Sequence, residues 1–198
     1  MSIQLEHWFP TTIGYVFNPH HDKIEKDLIK HCKNLKLSVD PGGQDWLSKD
    51  TYNTSDGKHD CFEDEKFSTL NKWVSEQVNN YAQMLKIKNT LIPHCSWFNI
   101  YDKNDYQEFH VHPGLTISAI YMLAGDKDSA KIYFKSPKNE MFHIEYEEFS
   151  SNTFGTINYN VDAGKLLMFT SDTSHSVERH NNSNDRITIS YNFIQERS

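Results

Sequence analysis

The sequence has no run of five or six like charges and no CxxC pair. It also has no stretch near the roughly 20 apolar residues of a membrane span, and no basic amino terminus leading into an apolar segment. Each absence excludes something. Without a basic patch, and with Lys+Arg 20 against Asp+Glu 27 for a net charge of −7, an electrostatic grip on nucleic acid is not expected. The three cysteines, Cys32, Cys61 and Cys95, are odd in number and far apart, which suits reduced thiols better than a disulfide framework. Lacking a span and an export signal, the chain reads as a cytoplasmic protein that does not engage a membrane. The apolar fraction is only 37%, but Phe 12, Tyr 10 and Trp 4 are spread along the 198 residues and can supply a core. That length suits a single domain over 1–198.

The chain changes period near its middle. Residues 1–92 read as helical support around a loop. After Asn18 and Pro19, Ile24, Leu28, Cys32 and Leu35 share one helical face, giving an amphipathic helix that ends near Lys36. Residues 38–62, with Pro41-Gly42-Gly43 and Asp56-Gly57, are turn-rich and predict an ordered loop or lid. From about Asp64 to Lys86 the stripe Phe67, Leu70, Val74, Val78, Tyr81, Leu85 predicts a second helix. Residues 93–195 instead carry short β segments near 95–102, 107–112, 115–124, 130–136, 141–147, 154–161, 165–170, 175–180 and 186–195. Eight or nine short antiparallel strands predict a mainly β fold, a double-stranded β-helix of the jelly-roll or cupin-like kind flanked by two amphipathic helices.

Four side chains could carry chemistry together. In Phe109-His110-Val111-His112-Pro113-Gly114, strand alternation puts His110 and His112 on one face, about 6.6–6.8 Å apart at Cα, a spacing that can chelate one metal. Taken alone, the pattern is equally that of a surface histidine pair. His175 lies between an apolar strand and the next β segment, where a jelly-roll carries ligands; the same position suits a histidine capping a turn. In the last strand Ile187, Ile189, Tyr191 and Phe193 occupy one face, and Arg186, Thr188, Ser190 and Asn192 the other. That polar face is either solvated or turned into a cavity. Trp97, Asn99 and Tyr101 share a strand face upstream, and Tyr121 offers a phenol on the face opposite Ser118. Alternation also sends Glu108 to the side of His110, so the second metal ligand is His112 or Glu108.

These elements, in order, resemble the iron(II)/2-oxoglutarate-dependent oxygenase superfamily. The likeness is closest to a group of small oxygenases often encoded by phages and marine bacteria. It rests on Trp97-Phe-Asn99, His110-Val-His112-Pro-Gly, Ile117-Ser-Ala-Ile-Tyr121, His175-Ser-Val177 and Arg186-Ile-Thr-Ile-Ser-Tyr-Asn192, with Trp8-Phe-Pro-Thr-Thr matching the group's opening. The resemblance implies that His110, His112 and His175 hold Fe(II). It further implies that Arg186 pairs with the distal carboxylate of 2-oxoglutarate as a bidentate fork, and that Thr188, Tyr121, Asn99 and Tyr101 add contacts. It departs from the superfamily where His112 replaces the usual carboxylate of the two-histidine, one-carboxylate triad, which leaves the site one unit more positive.

The implied reaction is a dioxygenation of an unidentified small molecule or peptide that consumes 2-oxoglutarate and O2 and releases succinate and CO2. The loop 38–62 and the polar insertion around 137–156 are the candidate walls for that substrate. The competing reading is a cupin-type metal protein that does not use 2-oxoglutarate: an isomerase, a three-histidine dioxygenase or a binding module. It has no use for Arg186, and the glutamate that cupins place after HxH is absent here. Oligomeric state, a homodimer included, is left open.

Overall fold

Strand alternation sorts the side chains of the two sheets, and the two faces of the central strands, both buried, meet different neighbours. The computed structural model describes residue 4 and residues 10–138, 145–148, 150–151 and 153–196. In chain order the elements are β1 (Ile13–Phe17), α1 (His21–Lys36), β2 (Tyr52–Asn53), α2 (Ser68–Met84), β3 (Leu91–Tyr101), β4 (Gln107–His110) and β5 (Ile117–Ala124). These are followed by β6 (Ile132–Lys135), β7 (Thr156–Tyr159), β8 (Lys165–Thr170), β9 (His175–Val177) and β10 (Arg186–Gln195). A six-stranded sheet runs β1-β8-β5-β10-β3-β2, and a four-stranded sheet runs β4-β9-β6-β7. Every pairing is antiparallel.

The larger sheet has two apolar coats. On its outer face Ile187, Ile189, Tyr191 and Phe193 of β10 lie with Ile117, Ala119, Tyr121 and Leu123 of β5. The helices complete that core with Leu28 and Cys32 of α1 and Leu70, Val74, Val78 and Tyr81 of α2, the face expected from their spacing. On its inner face Ile120, Met122, Leu167 and Phe169 meet Ile132, Phe134 and Val177 of the smaller sheet. Each of these wholly buried aliphatic or aromatic side chains contributes roughly 1.5–3 kcal/mol relative to exposure.

The helix ends differ from the expected ones for local reasons. α1 begins at His21, because the Asn18 side chain accepts from the His20 backbone N–H and so closes a turn instead of capping the helix. Asp64 does cap, accepting from the Lys66 N–H, but it caps a short 3-10 turn, Glu65–Phe67, that leads into α2. α2 stops at Met84, where Lys86 takes a positive φ of 60° and Ile87 N–H turns back to the Ala82 carbonyl.

Two strands lie outside the expected β half. β1 is an edge strand whose Tyr15 and Phe17 face solvent, and β2 sits in the 38–62 loop and pairs with β3. Of the strand expected at 141–147, residues 141–144 lie outside the described residues, and 145–148 are not strand. Trp8 also lies outside them.

Candidate functional site

The polar face of β10 turns inward. Paired with β3, it sets Arg186 opposite Tyr101, Thr188 opposite Asn99 and Ser190 opposite Trp97, so the polar faces of two neighbouring strands form one wall of a cavity between the sheets. The opposite wall comes from β4 and β9, which bring His110 opposite His175. The cavity, about 450 Å³ with its open mouth included, is lined by all three histidines and Arg186.

One irregularity decides which residues reach it. Between Gln107 and His110 the pairing of β4 with β9 slips by one residue, three positions on β4 matching two on β9. That is the signature of a β-bulge. Gln107 and His110 therefore both face the cavity, and Glu108 does not. Its carboxylate accepts from the Leu47 and Ser48 backbone N–H groups at 2.8 and 3.3 Å. Those amides outweigh the desolvation of partial burial and hold its pKa below the usual carboxylate value. Of the two alternatives for the second ligand position, His112 is the one that joins His110 and His175.

The three imidazoles converge. Their ligand atoms lie within 4.8 Å of one another, and the rings of His110 and His175 are 4.2 Å apart at their centroids. His110 Nδ1 donates to the Glu108 carbonyl at 2.8 Å, and His175 Nδ1 to the Thr173 carbonyl at 3.0 Å. A carbonyl can only accept, so in the neutral rings both Nε2 atoms present lone pairs. Burial keeps all three neutral. It pulls His175 well down from the usual imidazole range, helped by His110 and His112. It also pulls His110 down, and together with His110 it brings His112 down to about 4. His112 Nε2 is 3.3 Å from His175 Nε2, and its Nδ1 is 3.1 Å from the Asn192 amide. Two facing lone pairs repel, so a proton or a cation must lie between them. Two nitrogens about 2.1 Å from one ion stand about 3 Å apart when they are cis neighbours. When His112 gives up its Nε2 proton and carries one on Nδ1, a half-turn of the Asn192 amide presents an oxygen to it. The Trp97 ring stacks on His112 at 5.7 Å and fixes its plane. The donor set and its spacing fit a divalent transition metal.

Arg186 is wholly buried, and its surroundings are unusual for a cation. Nε donates to the Ala130 carbonyl at 2.9 Å, and the guanidinium lies 4.0 Å from the centre of the Tyr101 ring. Among the described residues neither terminal nitrogen has a hydrogen-bond partner of good geometry, the Tyr101 side chain being the nearest polar neighbour that offsets the charge. Burial lowers its pKa, with Tyr101 acting in the opposite direction. Asn99 donates to Thr188 at 3.3 Å and to Ser190 at 3.2 Å, while Trp97 Nε1 donates to Asn99 at 3.2 Å.

Tyr121 is a correction. It stands on the outer face of β5, where its hydroxyl meets His21 Nδ1 at 2.8 Å and the Asn18 amide at 3.3 Å under α1. Alternation separated it from Ser118, and the helical layer lies on the Tyr121 side; it cannot contact a ligand in the cavity.

Sequence reasoning passed over Gln107, Trp46 and the buried pair Ser118 and Ser171, whose hydroxyls are 2.9 Å apart while Ser118 also donates to Asn192 Oδ1 at 2.7 Å. Asn192 carried a signal, since it continues the alternation that includes Arg186. Outside the cavity a vestibule of about 870 Å³ is walled by Trp46, residues 54–57, His59 and Asp60. Gly43, at φ 70°, lies so close to the Trp46 ring that a Cβ there would stand 2.9 Å from it. The 38–62 loop thus forms a wall, as expected, but no described residue of 137–156 lines either space.

Residues 95–192 match a family model described as "Putative 2OG-Fe(II) oxygenase". No curated protein matches the sequence. The fold is similar to a Pseudomonas putida prolyl-4-hydroxylase, with a TM-score of 0.64, 13% identity and 94% of each chain covered. It is also similar to a Trichoplax adhaerens prolyl hydroxylase in complex with a hypoxia inducible factor peptide fragment, with a TM-score of 0.63, 13% identity, and 92% of this chain and 83% of that one covered. HygX from Streptomyces hygroscopicus, solved with nickel and 2-oxoglutarate bound, aligns with a TM-score of 0.60, 10% identity, and 93% and 83% coverage.

Proposed function

We propose that the chain works as a 2OG-Fe(II) oxygenase, the family whose model its residues 95–192 match, with His110, His112 and His175 holding the iron and Arg186 the cosubstrate. The observation that carries this reading is buried Arg186, whose terminal nitrogens find no hydrogen-bond acceptor among the described residues and line the same cavity as three neutral histidines. A planar dicarboxylate end meets both nitrogens with parallel charge-assisted hydrogen bonds and ends their isolation. Nothing in a cupin that dispenses with 2-oxoglutarate requires so costly a buried cation.

Each side chain then has a task. Iron with 2-oxoglutarate supplies O2-dependent oxidation of a substrate, coupled to release of succinate and CO2. Arg186 anchors the far carboxylate, its fork held flat by the Tyr101 ring and by the Ala130 carbonyl. Thr188 and Asn99 sit on the same wall and offer a hydroxyl and an amide to the cosubstrate. The Glu108 and Thr173 carbonyls fix the tautomers of His110 and His175, and Asn192 turns to suit His112. The apolar floor of Ile120, Ile132, Phe169 and Val177 excludes water from the reacting atoms. The substrate, a small molecule or a peptide, enters past the vestibule loop; the acidic surface speaks against nucleic acid.

The test is anaerobic addition of iron(II) and 2-oxoglutarate, followed in the visible charge-transfer region, then succinate measured after air is admitted. The wild-type protein gives a band and succinate. His175→Ala gives no band, and Arg186→Ala gives it only at cosubstrate concentrations raised at least tenfold. A band that persists unchanged in both variants contradicts the assignment.

A further inference from the structure

A second convergence of metal-ligating atoms lies apart from the cavity. His31 of α1, His59 of the vestibule loop and Asp64, which caps the 3-10 turn before α2, bring two imidazole nitrogens and a carboxylate oxygen within 4.8 Å of one another. His31 Nε2 is 2.6 Å from Asp64 Oδ2, and His59 Nε2 is 3.0 Å from the same oxygen. The side chains keep 25%, 20% and 14% of their exposure, enough for one water to reach them.

The three atoms are aimed by their surroundings. Asp64 Oδ1 is committed to the Lys66 N–H, which leaves Oδ2 to face the histidines. The Phe67 ring backs both imidazoles, at 5.6 Å from His31 and 6.4 Å from His59, and Phe98 lies 6.3 Å from His59 on another side. Ligand atoms held by a supporting shell are what a metal site requires and what an ordinary surface ion pair lacks. The residues come from three separate elements that contribute nothing to the oxygenase cavity except the neighbouring vestibule wall.

We propose that His31, His59 and Asp64 bind a zinc-type divalent cation, with water in the fourth position, as a structural clamp. Two imidazoles and one carboxylate suit Zn(II), which accepts mixed N/O donors in tetrahedral geometry; calcium and magnesium prefer shells of oxygen. Bonds of about 2.0–2.2 Å at tetrahedral angles place the ligand atoms about 3.3–3.5 Å apart. The present contacts have to open by less than about 1 Å, and each Nε2 proton leaves to solvent or moves to Nδ1 as the ion enters. The ion would tie α1 to the loop that walls the vestibule. His59 is followed by Asp60, whose carboxylate takes the Ser96 hydroxyl and N–H of β3, so a clamp at His59 stiffens that wall.

The experiment is zinc content after saturation and desalting of the metal-free protein, with thermal unfolding of the same samples. Wild-type protein retains two equivalents. His175→Ala retains one, and its midpoint still rises with zinc. Asp64→Asn retains one, and the double variant retains none and shows no rise. Asp64→Asn keeps an oxygen for the Lys66 N–H, so the 3-10 turn that leads into α2 is still capped, and circular dichroism confirms the folded state. His59→Ala serves as the second probe and should lose the same equivalent. If His175→Ala holds no zinc, or its equivalent survives Asp64→Asn and His59→Ala, the cluster is an ion-pair knot only. One equivalent in wild type and His175→Ala but none in Asp64→Asn supports the clamp while removing the cavity histidines as a zinc site, so the two proposals fail separately.

Discussion

Arg186 shows how much a single buried side chain can cost and why it is retained. Its charge is out of water, one nitrogen is bonded to Ala130, and the other two find no well-placed acceptor among the described residues. Removing an unpaired buried cation relieves a desolvation penalty, which exceeds the roughly 0.5–2 kcal/mol of stacking on Tyr101. Arg186→Met should therefore stabilise the ligand-free protein by about 1 kcal/mol in urea unfolding, while abolishing the extra stability that 2-oxoglutarate confers on wild type. The histidines give a pH signature of definite sign. His112 is held near 4 when folded, against about 6.5 unfolded, so below 6.5 the unfolded chain takes up a proton that the folded chain refuses. Stability of the metal-free protein is then fully present above pH 6.5 and falls between pH 6.5 and about 4. The loss is on the order of 3 kcal/mol from His112, with His110 and His175 acting in the same direction. Urea midpoints measured across that range check it, and a midpoint that does not move would mean that the rings are solvated.

At the scale of elements, the bulge in β4 and the two faces of β5 set the membership of the site. Alternation alone groups Glu108 with His110; one extra residue on β4 reverses this and commits Glu108 to the Leu47 and Ser48 amides. Glu108→Ala should accordingly leave iron binding within twofold of wild type, but raise amide hydrogen exchange at Leu47 and Ser48, which lose their acceptors. Loss of iron binding in that variant would restore Glu108 as a ligand. Tyr121 makes the complementary case. Its hydroxyl bridges to His21 and Asn18 under α1, so Tyr121→Phe should cost about 1–2 kcal/mol of stability and leave the affinity for 2-oxoglutarate unchanged. A weakened cosubstrate affinity in a folded Tyr121→Phe protein would place the phenol at the ligand after all.

The whole molecule is a layered one: helices on the outer face of the larger sheet, the ligand cavity on its inner face, and the vestibule loop at the mouth. Leu70 is almost wholly buried in the helical layer, so Leu70→Ala should lower unfolding free energy by about 2–5 kcal/mol while the folded fraction keeps its iron stoichiometry. Equal losses of both would mean that the helices shape the cavity directly. By itself the sequence determined the helical stripes, the β character of the second half, the separation of β10 into an apolar and a polar face and the order of His110, His112, His175 and Arg186, because each is a local periodicity or an order along the chain; that the polar face of β10 turns inward was decided by the packing of the two sheets. The sequence also held the edge strand β1 in Ile13-Gly-Tyr-Val-Phe17, a β-rich run in the part of the chain expected to be helical support. Only the tertiary structure decided that Tyr121 faces helices, that Glu108 turns away, that Asn192 meets His112, and that residues 31, 59 and 64 converge. Those facts depend on which side of a strand is covered and where one pairing register slips, and both are set by contacts between segments dozens of residues apart.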